Sequence, residues 1–244
     1  MVEEIASETS ATSISGAMKK AEKLFREILS NPRSAEDGRC ANDLLREFHR
    51  GFPLQKLRLL LSSPEVEVVK AGVFIAAELG SKAAPLLADI AKFLKHPAKW
   101  VRSDAIDCVL TCATRENENE IAAVVWMIDD PDEAIRWKVM EFLTLASSDQ
   151  LRAALEYFET KDPKSLHVVG LRWLTSGSGQ ELAQIASWLR SEVPLRRRYG
   201  AVAAARTTSD GGEPLLLAAS IDDDDVSQFA DSMLKTRMEA RGNR

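Results

Sequence analysis

Apolar residues recur at three- and four-residue spacing along most of the 244-residue chain. The pattern is plain in PLLADIAKFL, residues 85–94, and in EIAAVVWMI, residues 120–128. Such spacing lines apolar side chains along one face of an α-helix, so both stretches predict amphipathic helices. Superimposed on it is a longer period. Prolines stand at Pro32, Pro64, Pro97, Pro131, Pro163 and Pro194, at intervals of 32, 33, 34, 32 and 31 residues.

The residues just before these prolines are Asn31, Ser63, His96, Asp130, Asp162 and Val193. Asn, Ser and Asp are favoured helix N-caps, because a side-chain oxygen accepts an orphan N–H of the first turn. Proline fits the first helical position, where its missing N–H is not needed, and it pushes the preceding residue out of the α region. Each lattice proline is therefore expected to begin a helix, with Asp130 as the cap before Pro131 and Asp130–Glu133 as an approximate capping box. Eight residues after the prolines stand Cys40, Gly72, Ala105, Val139, Leu171 and Val202, none of them charged. Eleven after come Asp43, Ile75, Cys108, Phe142, Leu174 and Ala205, and three before come Leu29, Leu61, Leu94, Ile128, Thr160 and Ser191. The first column reads as a tight helix contact and the other two as core.

The predicted unit is a pair of antiparallel helices of about 32 residues, in which each pair buries its apolar side by stacking on its neighbours. A degenerate seventh copy fits SIDDDDVSQFADSML, with Asp222 in place of the proline and Val226 and Ala230 at apolar positions. The segments PEVEVVKAGVFIAAEL, PAKWVRSDAIDCVL and PDEAIRWKVMEFL resemble the HEAT and HEAT-like repeat families. They share an acidic residue, then an aliphatic–arginine pair, then a small residue at the spacing of those families. The resemblance spans roughly residues 18 to 238, with the first, fifth and last copies the poorest. It implies an all-α fold, a right-handed α–α superhelix of about seven helix pairs, between an N-terminal tail at 1–17 and a C-terminal tail at 239–244. It also implies that Arg102 and Arg136, the arginines five after their prolines, pair with acidic residues of adjacent units.

In each second helix the core positions fall four, eight, eleven and twelve after the proline, so six and ten after point the opposite way. Those columns hold Lys70, Ser103 and Trp137, then Phe74, Asp107, Glu141 and Trp173. Tryptophan on a solvent face is enriched at binding hot spots. The partner-binding expectation is accordingly Trp137 and Trp173 as anchors, with Glu141, Asp107, Phe74 and Lys70 beside them.

Composition changes the picture in two ways. The 12 glycines are few for an all-β chain of this length, and 37 acidic against 32 basic residues argue against a duplex nucleic-acid clamp. No uninterrupted apolar run approaches the roughly 18 residues of a membrane helix, and no membrane partner is expected. The acidic, Ser/Thr-rich start lacks the layout of a secretion signal or transit peptide. Cys40, Cys108 and Cys112 form an odd set compatible with a reducing cytoplasm. Cys108 and Cys112 share a helix face and replace Ile75 and Leu79 of the preceding copy, so they read as buried small hydrophobes.

Candidate chemistry is scarce. His49, His96 and His167 lie on different copies, none beside a glutamate or another histidine, so neither metal nor cofactor is expected. Gly177, Gly179, Gly211 and Gly212 read as inter-repeat turns. Trp100, Asp104, Arg136 and Trp173 resemble in spacing the site of HEAT-like alkylpurine DNA glycosylases, which supplies an enzymatic alternative. Lys164 to Arg206 is the most basic stretch, centred on Arg196–Arg198, and would hold a backbone phosphate or form a solvated face. The reading favoured is a non-enzymatic protein that binds another protein on a concave face. By analogy of architecture and charge it would be an immunity protein against a basic toxin domain.

Overall fold

The computed structural model describes residues 18–35, 38–176, 182–207 and 212–242. The expected tail at 1–17 and the turn glycines Gly177, Gly179 and Gly211 lie outside them. Among the described residues the secondary structure is helical throughout, with no strand. The fold is all-α. Two compact units divide between Cys112 and Ala113.

In the first unit, helix α1 covers 18–30 and α2 covers Arg39–His49. A 3-10 turn, Leu54–Lys56, leads into the short α3, Leu57–Leu61. Then come α4, Val66–Leu79, the four-residue α5, Leu87–Ile90, and α6, Lys99–Cys112. The second helices stack in order, α2 on α4 and α4 on α6. Gly72 marks the tightest approach within a pair: a Cβ there would lie 3.0 Å from Cβ of Leu60 and 3.3 Å from Leu61. At the far end of α6 the Cys112 thiol donates to the carbonyl of Gly80, just past the end of α4, at 3.2 Å.

PLLADIAKFL departs from the continuous helix expected of it. It falls across a 3-10 turn, Gly80–Leu86, then α5, then a second 3-10 turn, Ala91–Lys95. Pro85 has no N–H to give to an α-helical bond, and the 3-10 form advances further per residue than the α form. The span Val66–Lys95 has the length and composition of a membrane helix, contrary to the sequence expectation. Gly80, at φ +57, ends α4 inside that span, and half of its most apolar window is buried in the protein. Those apolar side chains form the core of the unit.

The second unit holds α7, Glu118–Trp126; α8, Glu133–Leu145; α9, Ser148–Lys161; and α10, Leu166–Thr175. It continues with α11, Leu182–Leu189; α12, Pro194–Arg206; α13, Glu213–Ala219; and α14, Asp224–Gly242. The expected tail boundary at 239 moves outward, since α14 runs to Gly242. Helices pair as α9 with α10, α11 with α12 and α13 with α14. The stacking order is irregular: α8 packs on α12 and also touches α14. The fifth copy, α9–α10, attaches mainly through α9 to α7, and α10 also meets α12. That copy is one of the three that match the repeat poorly.

Most of the column residues land where expected, although Cys40 and Leu29 are only half-buried. Ala105, Val139, Leu171 and Val202 are fully buried, as are Ile75, Cys108 and Ile128. The caps differ by two residues. Asp130 is not the N-cap of α8; its carboxylate accepts the N–H of Asp132 at 2.9 Å, and Asp132 caps the helix by accepting the N–H of Ala134 at 3.0 Å. Ser63 and the Nδ1 of His96 do the same for the N–H groups of Glu65 and Ala98. Pro131 therefore sits in an Asx turn ahead of the helix, which holds the entering chain at a fixed angle. Among the lattice prolines, Pro194 opens an α-helix and Pro32 a 3-10 turn, Pro32–Ala35, and the reciprocal capping box of this unit is Ser147–Gln150 at α9.

Candidate binding surface

The turns before α6, α8 and α12 are each fastened by an arginine one turn inside the helix. Arg102 donates to the carbonyls of His96 and Pro97 at 2.9 and 3.0 Å, and Arg136 to those of Asp130 and Pro131 at 2.9 and 3.0 Å. Arg197 does likewise to the carbonyl of Ser191 at 2.9 Å, while Ser191 accepts the N–H of Val193. Arg197 is thus the equivalent of Arg102 and Arg136 in the sixth copy, hidden because Pro194 is shifted two residues from the lattice phase. Gly200, nine after Ser191, matches Gly72, nine after Ser63. A Cβ there would lie 3.2 Å from the Leu189 backbone.

Arg136 also makes two 2.7 Å bonds to the carboxylate of Asp225 at the start of α14. Arg198 joins Asp225 at 3.0 Å and also bonds Asp129 and the carbonyl of Ile128. Burial raises the pKa of Asp225, but the hydrogen bonds and charges of Arg136 and Arg198 outweigh it and hold the carboxyl below its ordinary range. Arg197 bonds Asp223, which also accepts the N–H of Val226. The basic stretch is therefore turned inward at its centre. Arg206 too is internal, donating to the carbonyls of Leu143, Thr144 and Ala146. Lys164, Arg190 and Arg196 remain exposed.

The expected partner face is largely covered or engaged. Trp173 is 8% exposed, with its ring 4.6 Å from Trp188 of α11. Trp137 is half-buried, with its ring edge-on to Phe229 of α14 at 6.1 Å. Glu141 bonds Lys138 at 2.7 Å, and Lys70 bonds Glu67 at 3.3 Å. Phe74 and Asp107 are half-buried. The periodicity argument located the side of each helix that faces away from its own pair. It had no access to the helices that cover that side: α14 over Trp137 and α11 over Trp173. Trp173 as a solvent-facing anchor is a correction, because it is a core residue.

Trp173 ends a run of rings through the second unit: Trp188, Tyr199, His167, Phe158 and Trp126. His167 is buried and stacked on Phe158 at 4.7 Å, with Nδ1 3.1 Å from the Tyr199 hydroxyl. Burial lowers the His167 pKa and raises that of Tyr199, which keeps both neutral. Gly170 is required beneath them, since a Cβ would lie 2.6 Å from the Tyr199 ring. Burial likewise raises the thiol pKa of Cys108 and Cys112, leaving neither an activated nucleophile. No cluster of three His, Cys, Asp or Glu suited to a metal occurs among the described residues. Two members of the glycosylase-like constellation are committed elsewhere: Arg136 to Asp225 and Trp173 to Trp188. Asp104 is half-buried.

The tryptophans that do face solvent are Trp100 and Trp126, at 63% and 47% exposure. Trp126 still leans on Phe158 and His167. Trp100 stands in the first turn of α6, with the Lys99 ammonium 5.4 Å from its ring centroid. Sequence reasoning passed over it as a surface residue. Its lattice position, three after the proline, holds Glu67 and Ala134 in the neighbouring copies, one of them charged, and that was the available signal.

No protein-family model matches the chain, and no curated protein matches it. Among solved structures it is similar to an engineered protein from the Northeast Structural Genomics Consortium, at 16% identity over 88% of this chain and 95% of that one, TM-score 0.48. It is also similar to a designed armadillo repeat protein in complex with the peptide (KR)4, at 13% identity over 75% of this chain and 99% of that one, TM-score 0.39.

Proposed function

We propose that this chain is a non-enzymatic helical-repeat protein of the HEAT-like kind that binds another protein, with Trp100 as an anchor. The observation that carries the reading is the 63% exposure of Trp100 on an ordered helix of a well-packed unit. Tryptophan is among the residues most enriched at protein-binding hot spots. Nothing in the core competes for it: α6 buries Val101, Ala105, Ile106, Cys108, Val109 and Cys112 and turns Trp100 outward.

A finer reading is an immunity protein that neutralises a basic toxin domain. Its support is the charge of the second unit, where Ala113–Arg244 carries 22 acidic and 16 basic residues, while the first unit is nearly balanced. Asp222 and Asp224 stand exposed at the mouth of α14. Free thiols at Cys40, Cys108 and Cys112 fit a reducing compartment such as the cytoplasm.

A photo-cross-linking amino acid placed at position 100, at position 224 and, as a control, at exposed Lys235 tests both readings in the native host. The expected result is a discrete protein adduct at position 100 that position 235 does not give. A basic toxin domain captured at position 224 supports the finer reading. Adducts with nucleic acid alone, or none above the control, would overturn the protein-binding function.

A further inference from the structure

The buried histidine of the second unit sits where four helices meet. His167, in α10, is stacked on Phe158 of α9 at 4.7 Å and meets Trp126, the last residue of α7, edge to face at 4.8 Å. From α12 the Tyr199 hydroxyl reaches its Nδ1 at 3.1 Å, and among the described residues the ring has no other hydrogen bond. The Tyr199 ring is fully buried and also occupies the space beside Gly170, 2.6 Å from where a Cβ would stand. The contact of α10 with α12 is thus built on Tyr199, with its ring against Gly170 and its hydroxyl on His167.

That arrangement suits a neutral imidazole. A neutral ring and a hydroxyl carry two polar hydrogens between them, and one of these fills their bond. Protonation adds a third and removes the ring's lone pair, so one more buried donor goes unpaired and a full charge enters a cluster of rings. The face of Phe158 would attract a cation, but by less than the hydration that the cation gives up.

The charges that bear on the ring come from two sides. Asp129, in the turn after α7, and Asp162, at the end of α9, both favour a cation there. Asp129 is already bonded to Arg198 of α12, and neither carboxylate bonds the ring. Lys161 and Lys164, on either side of Asp162 in sequence, are exposed. The other charge on α10 is Arg172, which bonds Glu159 of α9. Burial lowers the pKa of His167, and the two carboxylates offset this only in part. The exposed Trp126 touches both His167 and Phe158, so water lies one side chain away.

We propose that the fifth copy is a proton-operated latch: a proton taken up by His167 releases α10 from α12 and lets the imidazolium reach water. The open form uncovers Tyr199 and Phe158, so acidification presents an aromatic surface that is closed at neutral pH. Because the closed form holds the imidazole below its ordinary pKa, closure is at full strength above about pH 6.5 and is lost as pH falls from there through the closed-state value. One proton also sets a ceiling. At pH 5.0 an exposed histidine is protonated about 30 to 1, so the open form can gain at most about 30-fold. The latch is independent of what Trp100 binds.

Hydrogen exchange on the full chain, followed by mass spectrometry from about pH 7.5 to 5.0 and corrected for the intrinsic rate, tests it. Peptides covering α10 and α12 should exchange about 5- to 30-fold faster at the acid end, while those covering α4 stay within about twofold. In the parent with carbon-13-labelled histidines, the His167 ring should titrate with a midpoint below about 6.5 that coincides with the exchange midpoint. His167→Asn keeps an acceptor near the Nδ1 position and cannot titrate, so exchange at α10 and α12 should stay flat with pH. Should that variant fail to fold, the ring titration of the parent decides. A midpoint at or above about 6.5, exchange at α10 and α12 that ignores pH, a rise beyond about 30-fold, or an equal rise in α4 would each overturn the latch. A folded His167→Asn chain that keeps the parent's pH dependence would overturn it as well.

Discussion

Replacing Asp225 by Asn removes one charge from the place where α8, α12 and α14 meet. In the parent the carboxylate receives two 2.7 Å bonds from Arg136 and two, of 3.0 and 3.3 Å, from Arg198. The three side chains are only 18%, 13% and 12% exposed, in the order Arg136, Asp225, Arg198. Asn keeps the shape but turns an amide N–H₂ toward two guanidinium groups that then face each other with less compensation. Removing one partner of a fully buried pair costs about 3–5 kcal/mol, and an exposed pair is worth about 0–1 kcal/mol. For this degree of burial we expect Asp225→Asn to cost about 2–4 kcal/mol, which lowers the melting temperature by roughly 6–15 °C. Circular dichroism melts at several pH values provide the assay. The folded pKa of Asp225 is depressed, so its contribution is present above the unfolded value of about 3.9 and lost as pH falls through the folded value. The gap between parent and variant should be constant from about pH 8 to pH 5 and close below about pH 4. A gap below about 1 °C at neutral pH, or one that persists undiminished in acid, would show that the cluster is not holding the three helices together.

Asp132→Ala should destabilise the protein by about 0.5–2 kcal/mol by chemical denaturation, and Asp132→Asn should recover most of it, because Asn also caps. Two variants with the same equilibrium would mean that the turn, not the cap, starts α8. Trp173→Ala should cost about 3–5 kcal/mol as a buried aromatic truncation, whereas Trp100→Ala should stay within about 0.5 kcal/mol of the parent. The opposite order of melting temperatures would refute the assignment of core and surface tryptophans.

The repeat was legible because it rests on local chemistry. Small or apolar residues at Ala105 and Val139 must recur wherever one helix leans on another, and proline turns must recur wherever the chain reverses. The caps were nearly legible: Asp130 and Pro131 marked the turn correctly, but Asp132 was equally suitable as a cap, and only the Arg136 contacts to the turn carbonyls separate the two roles. Arg197 was masked by its own neighbour, since Pro194 occupies the first helical position instead of the turn. The site was the least legible. Whether Trp137 faces water depends on α14, which begins 87 residues later, and no periodicity carries that information. Trp100, by contrast, was readable as the sole aromatic among the residues three after the lattice prolines.

Arg206 and Arg237 perform one task in successive copies. Arg206 closes the C-terminal carbonyls of α8, and Arg237, from α14, donates to Ala205 and Thr207 at the end of α12. The last four carbonyls of a helix have no partner within it. In these two cases the partner is supplied from downstream, 60 to 63 residues on for α8 and 30 to 32 for α12. During synthesis, then, α8 leaves the ribosome with open ends that stay hydrated until α12 has followed, and α12 waits in turn for α14. Completion passes backward along the chain while translation runs forward, so the second unit acquires its final stability only when its last helix has been released.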